Sequence, residues 1–158
     1  MKKVLFLLIF SFVFYACSSS KKTIYNSKKP ITKADRIIAT ALQFKGVKYK
    51  FGGTTRKGMD CSGLVYVAFG EENIQLPRVS RNMAKKGRKI ALSKVTKGDL
   101  VFFKISRNSN QINHVGLVTG IKNGQVFFIH STTSKGVIVS SLSEKYWKNN
   151  FVKATTIL

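Results

Sequence analysis

The order of hydrophobic patterns in this chain predicts an α+β domain, with N-terminal helices packed on an antiparallel β-sheet. Three observations carry that expectation. Apolar residues recur at helical spacing in two early stretches, first Ile37, Ile38, Ala41 and Leu42, then Leu64, Val65, Ala68 and Phe69. Beyond Gly98 the pattern changes to short β-rich runs divided by turn residues. Helices first and strands afterwards segregate the two kinds of element, and helices then cover one face of the sheet.

The first 16 of the 158 residues do not belong to that domain. Lys2-Lys3 precedes an apolar run from Val4 to Ala16, interrupted only by Ser11, too short to span a bilayer as a stable helix and followed by Cys17-Ser18-Ser19-Ser20. This reads as a signal peptide over residues 1–16. Phe14-Tyr15-Ala16-Cys17 resembles a bacterial lipobox, which implies cleavage before Cys17 and acylation of that cysteine. Plain secretion and an uncleaved anchor are the competing readings. Acyl chains would hold the protein to a membrane, and Ser18 after the cysteine points to the outer membrane, facing the periplasm. Residues 17–30 are rich in Ser and Lys and poor in apolar side chains, so they read as a tether.

The folded domain is expected over residues 31–158. Thr32 is placed to cap a helix running to about Phe44, with Gly46 ending it. Val47 to Gly53 forms a glycine-bearing loop, and Asp60 is a natural cap for the helix that begins at Cys61 and stops at Gly70. Ser80 is placed to cap a further short turn through Lys86, closed by Gly87. The expected strands are Leu100–Ile105, Val115–Thr119, Gln125–Ile129, Val137–Ser140 and Phe151–Ile157.

The chain carries 28 basic and 6 acidic residues, a net charge of +22, and loss of Lys2 and Lys3 with the leader lowers it to +20. Such an excess suits a polyanionic neighbourhood, whether nucleic acid, anionic lipid or an acidic cell wall. Export disfavours nucleic acid, and the basic residues are spread evenly, without the stacking aromatics of an RNA-binding motif. If Cys17 is acylated, Cys61 has no disulfide partner in an exported protein. A free thiol there needs a reason, and catalysis is one.

Cys61 is expected in the first turn of its helix, among unpaired backbone N–H groups at the positive end of the dipole, where a thiolate is favoured. A small buried core residue is the plainer alternative. A cysteine nucleophile requires a general base and a group that holds the base's tautomer. The chain has two histidines, His114 and His130, each adjoining the end of an expected strand. They meet only if both face the same side of the sheet. A two-residue turn at Asn123-Gly124 pairs Lys122 with Gln125, sets His114 opposite Thr133 and sends the rings to opposite faces. A three-residue loop with Gly124 as a bulge pairs Ile121 with Gln125, sets His130 opposite Gly116 and makes His114 its diagonal neighbour. The catalytic reading therefore predicts the bulged loop.

Six segments of the chain stand in a familiar order: Tyr49-Lys50-Phe51-Gly52-Gly53, Asp60-Cys61-Ser62-Gly63-Leu64, Leu76-Pro77-Arg78, Gly98-Asp99-Leu100-Val101-Phe102-Phe103, His114-Val115-Gly116 and His130-Ser131. Together they resemble the NlpC/P60 cysteine peptidases from about Ile37 to the C-terminus. Tyr146-Trp147-Lys148 is similar to the tail of the small single-domain murein endopeptidase lipoproteins of Gram-negative envelopes. The resemblance implies a papain-like core in which Cys61 attacks a peptide carbonyl, His114 moves the proton and His130 orients His114. It also implies that Tyr49 polarises the carbonyl or lines the site, and that Asp60, Ser62 and Arg78 line the substrate cleft. Asp60 as a plain helix cap and Arg78 as surface charge are the alternatives. The implied substrate is the stem or cross-link peptide of peptidoglycan, handled by a monomer with neither metal nor cofactor. A catalytically idle wall-binding or hydrolase-recruiting lipoprotein, and a Cys/His amidase or acyltransferase on the same core, are the competing functions.

Overall fold

The computed structural model describes residues 30–105 and 110–158, so the leader, Cys17 and nearly all of the tether lie outside the described residues. The first helix, α1 (Lys33–Leu42), opens on a reciprocal cap. Thr32 Oγ1 accepts the Asp35 N–H at 3.1 Å, and Asp35 Oδ2 accepts the Thr32 N–H at 2.9 Å. Ile37, Ile38 and Ala41 are buried, whereas Leu42, expected on the same stripe, is exposed. The chain leaves the helix at Leu42, and the turn that follows ends at Gly46 with a positive φ of 86°.

A short hairpin of β1 (Thr54–Thr55) and β2 (Gly58–Met59) leads into α2 (Cys61–Gly70), which is buried on most of its circumference. A Cβ on Gly63 would meet the Gly53 carbonyl oxygen at 2.1 Å, so this glycine lets the preceding loop lie directly on the first turn of α2. α3 (Ser80–Met83) follows. Ser80 is its first helical residue and not its cap; Val79 holds the cap position without a side-chain bond.

Six strands form one antiparallel sheet: β3 (Arg88–Ile90), β4 (Leu100–Phe103), β5 (His114–Lys122), β6 (Gln125–Thr132), β7 (Gly136–Ser141) and β8 (Phe151–Thr156). Their order is β3-β8-β4-β5-β6-β7, with the last strand inserted between β3 and β4. Leu100, Phe102, Val115, Leu117 and Ile129 pack against α1 and α2. The opposite face is also covered. There Val101, Phe103, Val118, Phe128 and Ala154 pack with Trp147 of a further helix, α4 (Lys145–Asn150). Helices on a single face were the expectation; α4 adds a cover because strand side chains alternate and both sets here are apolar.

The β5–β6 hairpin corrects the expected loop. Asn123 and Gly124 have φ of 50° and 73° and form a two-residue turn, with Lys122 paired to Gln125. An Asn-Gly pair favours that turn because both central positions need positive φ. The extra residue lies further along, at Thr119, between the pairs Gly120–Phe127 and Val118–Phe128. This bulge shifts the register by one. Beyond it Leu117 pairs with Ile129, and the same register sets His130 across from Gly116 with His114 as its diagonal neighbour. The two histidines share a face through a bulge within the strand, not one in the turn.

Candidate active site

Cys61 sits at the start of α2, 9% exposed, with its sulfur on the backbone N–H of Val115, next to His114. Burial pushes the thiol above its usual range, and the Asp60 carboxylate adds to the effect. The N–H groups of Val115, Ser62 and Cys61 pull the other way without prevailing. This corrects the expected resting thiolate: desolvation outweighs the helix terminus, and the thiol rests protonated.

His114 opens β5 and His130 lies near the end of β6; both are buried. His114 Nε2 and His130 Nδ1 are 2.9 Å apart, with the rings at 85°, and His130 Nε2 is 3.1 Å from Ser140 Oγ on β7. The roles along this chain of contacts follow the tautomers of the two rings. In the tautomer that leaves His114 Nδ1 free to accept a proton, Nε2–H donates to His130 Nδ1. His130 then keeps its hydrogen on Nε2 and donates to Ser140. Burial holds His114 down to about 4, and burial with the neighbouring His114 holds His130 down to about 3. Both imidazoles are therefore neutral at pH 7, as a base facing a protonated thiol must be.

An aromatic box surrounds the pair. Trp147 stacks on His114 at 5.3 Å and meets His130 edge-on at 4.5 Å, while Phe128 lies 4.7 Å from His130. Around Cys61 two cavities, of about 390 and 460 Å³, share Tyr49, Cys61 and Asn113 in their walls. His114 lines only the first; Asp60, Ser62 and Arg78 line only the second. The cleft is thus divided in two, with the thiol at its waist.

The profile of the NlpC/P60 family matches residues 46–156. The chain belongs to the NlpC/P60 family. It is 36% identical over 141 residues to a protein of Escherichia coli strain K12 named murein DD-endopeptidase MepS/murein LD-carboxypeptidase, covering 89% of this chain and 71% of that one. It is 43% identical over 113 residues to a probable endopeptidase NlpC of the same strain, covering 71% of this chain and 70% of that one. Among solved structures, an NlpC/P60 family protein from Bacillus cereus superposes with a TM-score of 0.72 at 28% identity, over 82% of this chain and 41% of that one.

In this NlpC/P60 domain the four residues expected to contact substrate gather beside Cys61, but three of them are first engaged with one another. Asp60 Oδ1 accepts the Gly63 N–H at 2.6 Å and Arg78 Nη1 at 2.9 Å; Oδ2 accepts the Gly52 N–H at 2.8 Å and Arg78 Nη2 at 2.8 Å. Arg78 also donates to Ser62 Oγ at 2.9 Å and to the Gly53 carbonyl at 3.2 Å. Burial opposes ionisation of Asp60, yet Arg78 and the two N–H groups together hold its carboxyl below the usual range. Asp60 is therefore both helix cap and ion-pair partner, and Arg78 is not loose surface charge. Burial, with the nearby Cys61 and Asp60, raises the Tyr49 phenol, so it stays protonated and able to donate.

Sequence reading missed Ser140 and the role of Trp147. Ser140 is one of several serines in a β-rich run, with no motif to mark it. Trp147 is the only tryptophan of the chain, and its place in a short polar segment was a usable signal.

Proposed function

We propose that this NlpC/P60 protein is a murein endopeptidase that cleaves stem or cross-link peptides through a covalent thioester. The single observation that carries the reading is a buried thiol that shares a cavity wall with a neutral histidine, itself held by His130 and Ser140. His114 Nδ1 takes the proton as Cys61 Sγ adds to the carbonyl carbon, and Nε2–H···His130 steadies the imidazolium that forms. The Cys61 N–H at the start of α2, with the Tyr49 hydroxyl, faces the developing oxyanion. His114 returns the proton to the leaving amine, then activates the water that releases the acyl product. The half of the cleft held by Asp60, Ser62 and Arg78 receives the acyl portion. A relative named for murein DD-endopeptidase activity supports the substrate class.

The proposal extends to location: acylation at Cys17 tethers a monomeric domain to the outer membrane, and the positive charge favours the anionic wall. The deciding experiment digests purified murein with wild type and Cys61→Ala and identifies the fragments by mass spectrometry. New peptide ends from wild type alone are expected. Equal product from both proteins would end the thiol mechanism, and no product from folded wild type would favour a wall-binding role.

A further inference from the structure

The division of the cleft at Cys61 has a chemical consequence for the substrate. His114 receives the thiol proton and returns it to the departing amine, so the leaving residue occupies the half that His114 lines. That half is walled by Thr132 at the end of β6 and the turn Thr133-Ser134-Lys135 that leads to β7, with Glu144 and Tyr146 also lining it. Among the described residues Lys135 is the one cation in this wall, and its ammonium has no ion-pair partner there. Glu144, the one acid there, is already engaged: its Oε1 accepts the Ser141 N–H at 2.8 Å.

The turn that carries Lys135 is fixed in place. Thr132 Oγ1 accepts the Lys135 N–H at 3.1 Å, and the Val137 N–H donates to the Val47 carbonyl at 2.9 Å. Gly136 between them has φ of 66°, and a Cβ there would meet the Val47 oxygen at 2.2 Å. No other residue type fits that approach. The backbone that carries a cation and neighbouring hydroxyls, Thr133 and Ser134, is thus held where the leaving residue must lie, a combination suited to a carboxylate.

Resting on the endopeptidase reading above, we infer that Lys135 binds a free carboxylate on the leaving residue, beside the scissile nitrogen. The enzyme then selects amide bonds whose amine side is an amino acid centre with its own carboxyl unblocked. A diaminopimelate centre in a cross-link, or a terminal D-amino acid, meets this requirement. A bond whose leaving centre has its carboxyl joined onward in a peptide does not.

Two muropeptide dimers test this, identical except that the carboxyl beside the scissile amide is free in one and amidated in the other. Wild type is expected to cleave the free acid with about tenfold higher kcat/KM, the size of one charged hydrogen bond. Lys135→Gln brings the ratio near one, mainly through KM for the acid, and Lys135→Arg restores most of it. An unchanged ratio in Lys135→Gln, or no preference in wild type, overturns the inference. In the latter case cleavage of both dimers by wild type and of neither by Cys61→Ala leaves the endopeptidase reading standing. Cleavage of neither dimer by wild type overturns both.

Discussion

On either side of Cys61 the protein buries a polar cluster, and the two are built on opposite electrical principles. Asp60 and Arg78 are a full ion pair, with the carboxylate receiving bonds from Gly52, Gly63 and both guanidinium nitrogens. His114, His130 and Ser140 form a single file of neutral groups, one hydrogen bond to each neighbour, among Trp147, Phe128 and Phe103. A buried charge is tolerated only when saturated with partners, and saturation leaves it nothing to exchange. A neutral imidazole tolerates aromatic surroundings and keeps one nitrogen open for a proton. The ionic cluster therefore suits scaffolding and the acyl side of the cleft; the neutral file suits proton transfer.

The sharpest way to break the comparison is to damage each cluster and read both activity and stability. His114→Gln is expected to lower kcat by about 10³-fold, the loss of a general base, while the urea midpoint stays near wild type. Arg78→Met should reverse the pattern in stability. It strands a mostly buried carboxylate, and because Arg78 is a third exposed the cost is about 2 kcal/mol, below that of a fully buried pair. Equal stability losses in the two variants would show that the clusters are not different in kind.

Next in size is the response to acid. Both histidines have folded pKa values below the ordinary 6.5, so the unfolded chain takes up their protons first. Stability from this cluster is complete above pH 6.5 and falls as the pH drops toward about 4 for His114 and about 3 for His130. At about 1.4 kcal/mol per unit, unfolding followed from pH 7 to 4.5 should record a loss of several kcal/mol. Asp60 contributes nothing in that window. Its carboxyl is held below the ordinary 3.8, so its share is present above that value and lost only as pH falls through the lowered pKa. A flat stability profile between pH 7 and 4.5 would contradict the neutral file. Free-enzyme kcat/KM should likewise persist to well below 6.5, with its acid limb near the value of His114.

Ser140→Ala is the smallest expected change. It removes the acceptor for His130 Nε2–H at a cost of about 1 kcal/mol, so kcat should drop about fivefold with KM little altered. Ser140→Thr, which keeps the hydroxyl, should recover most of the rate. A structural effect alone would move stability and leave that recovery absent.

Much of the site was legible because its motifs are local. Asp60 before an apolar helix marks a cap, and Cys61 follows by position alone; the observed 2.6 Å bond to Gly63 is the bond a cap makes. The histidine pairing was legible as a requirement of parity but not as a place in the chain. Asn123-Gly124 strongly favours a two-residue turn, which sets the wrong parity, and the correction occurs at Thr119 where no turn residue announces it. Thr119 Oγ1 donates to the Phe127 carbonyl at 3.2 Å, a contact that exists only once β6 lies alongside.

Sequence by itself determined α1 and α2 with their caps, the five main strands and the candidate reacting groups, because capping, periodicity and turn preference act over a few residues. Tertiary structure alone decided three things: the bulge that puts both histidines on one face, the cover of α4 with Trp147 stacked on His114, and the protonation of the thiol. Each depends on segments distant in the chain, brought alongside one another only in the assembled fold. Burial from the assembled fold overrides the helix terminus at Cys61 and keeps the histidines neutral, so the site rests as thiol and imidazole until a substrate calls for the proton to move.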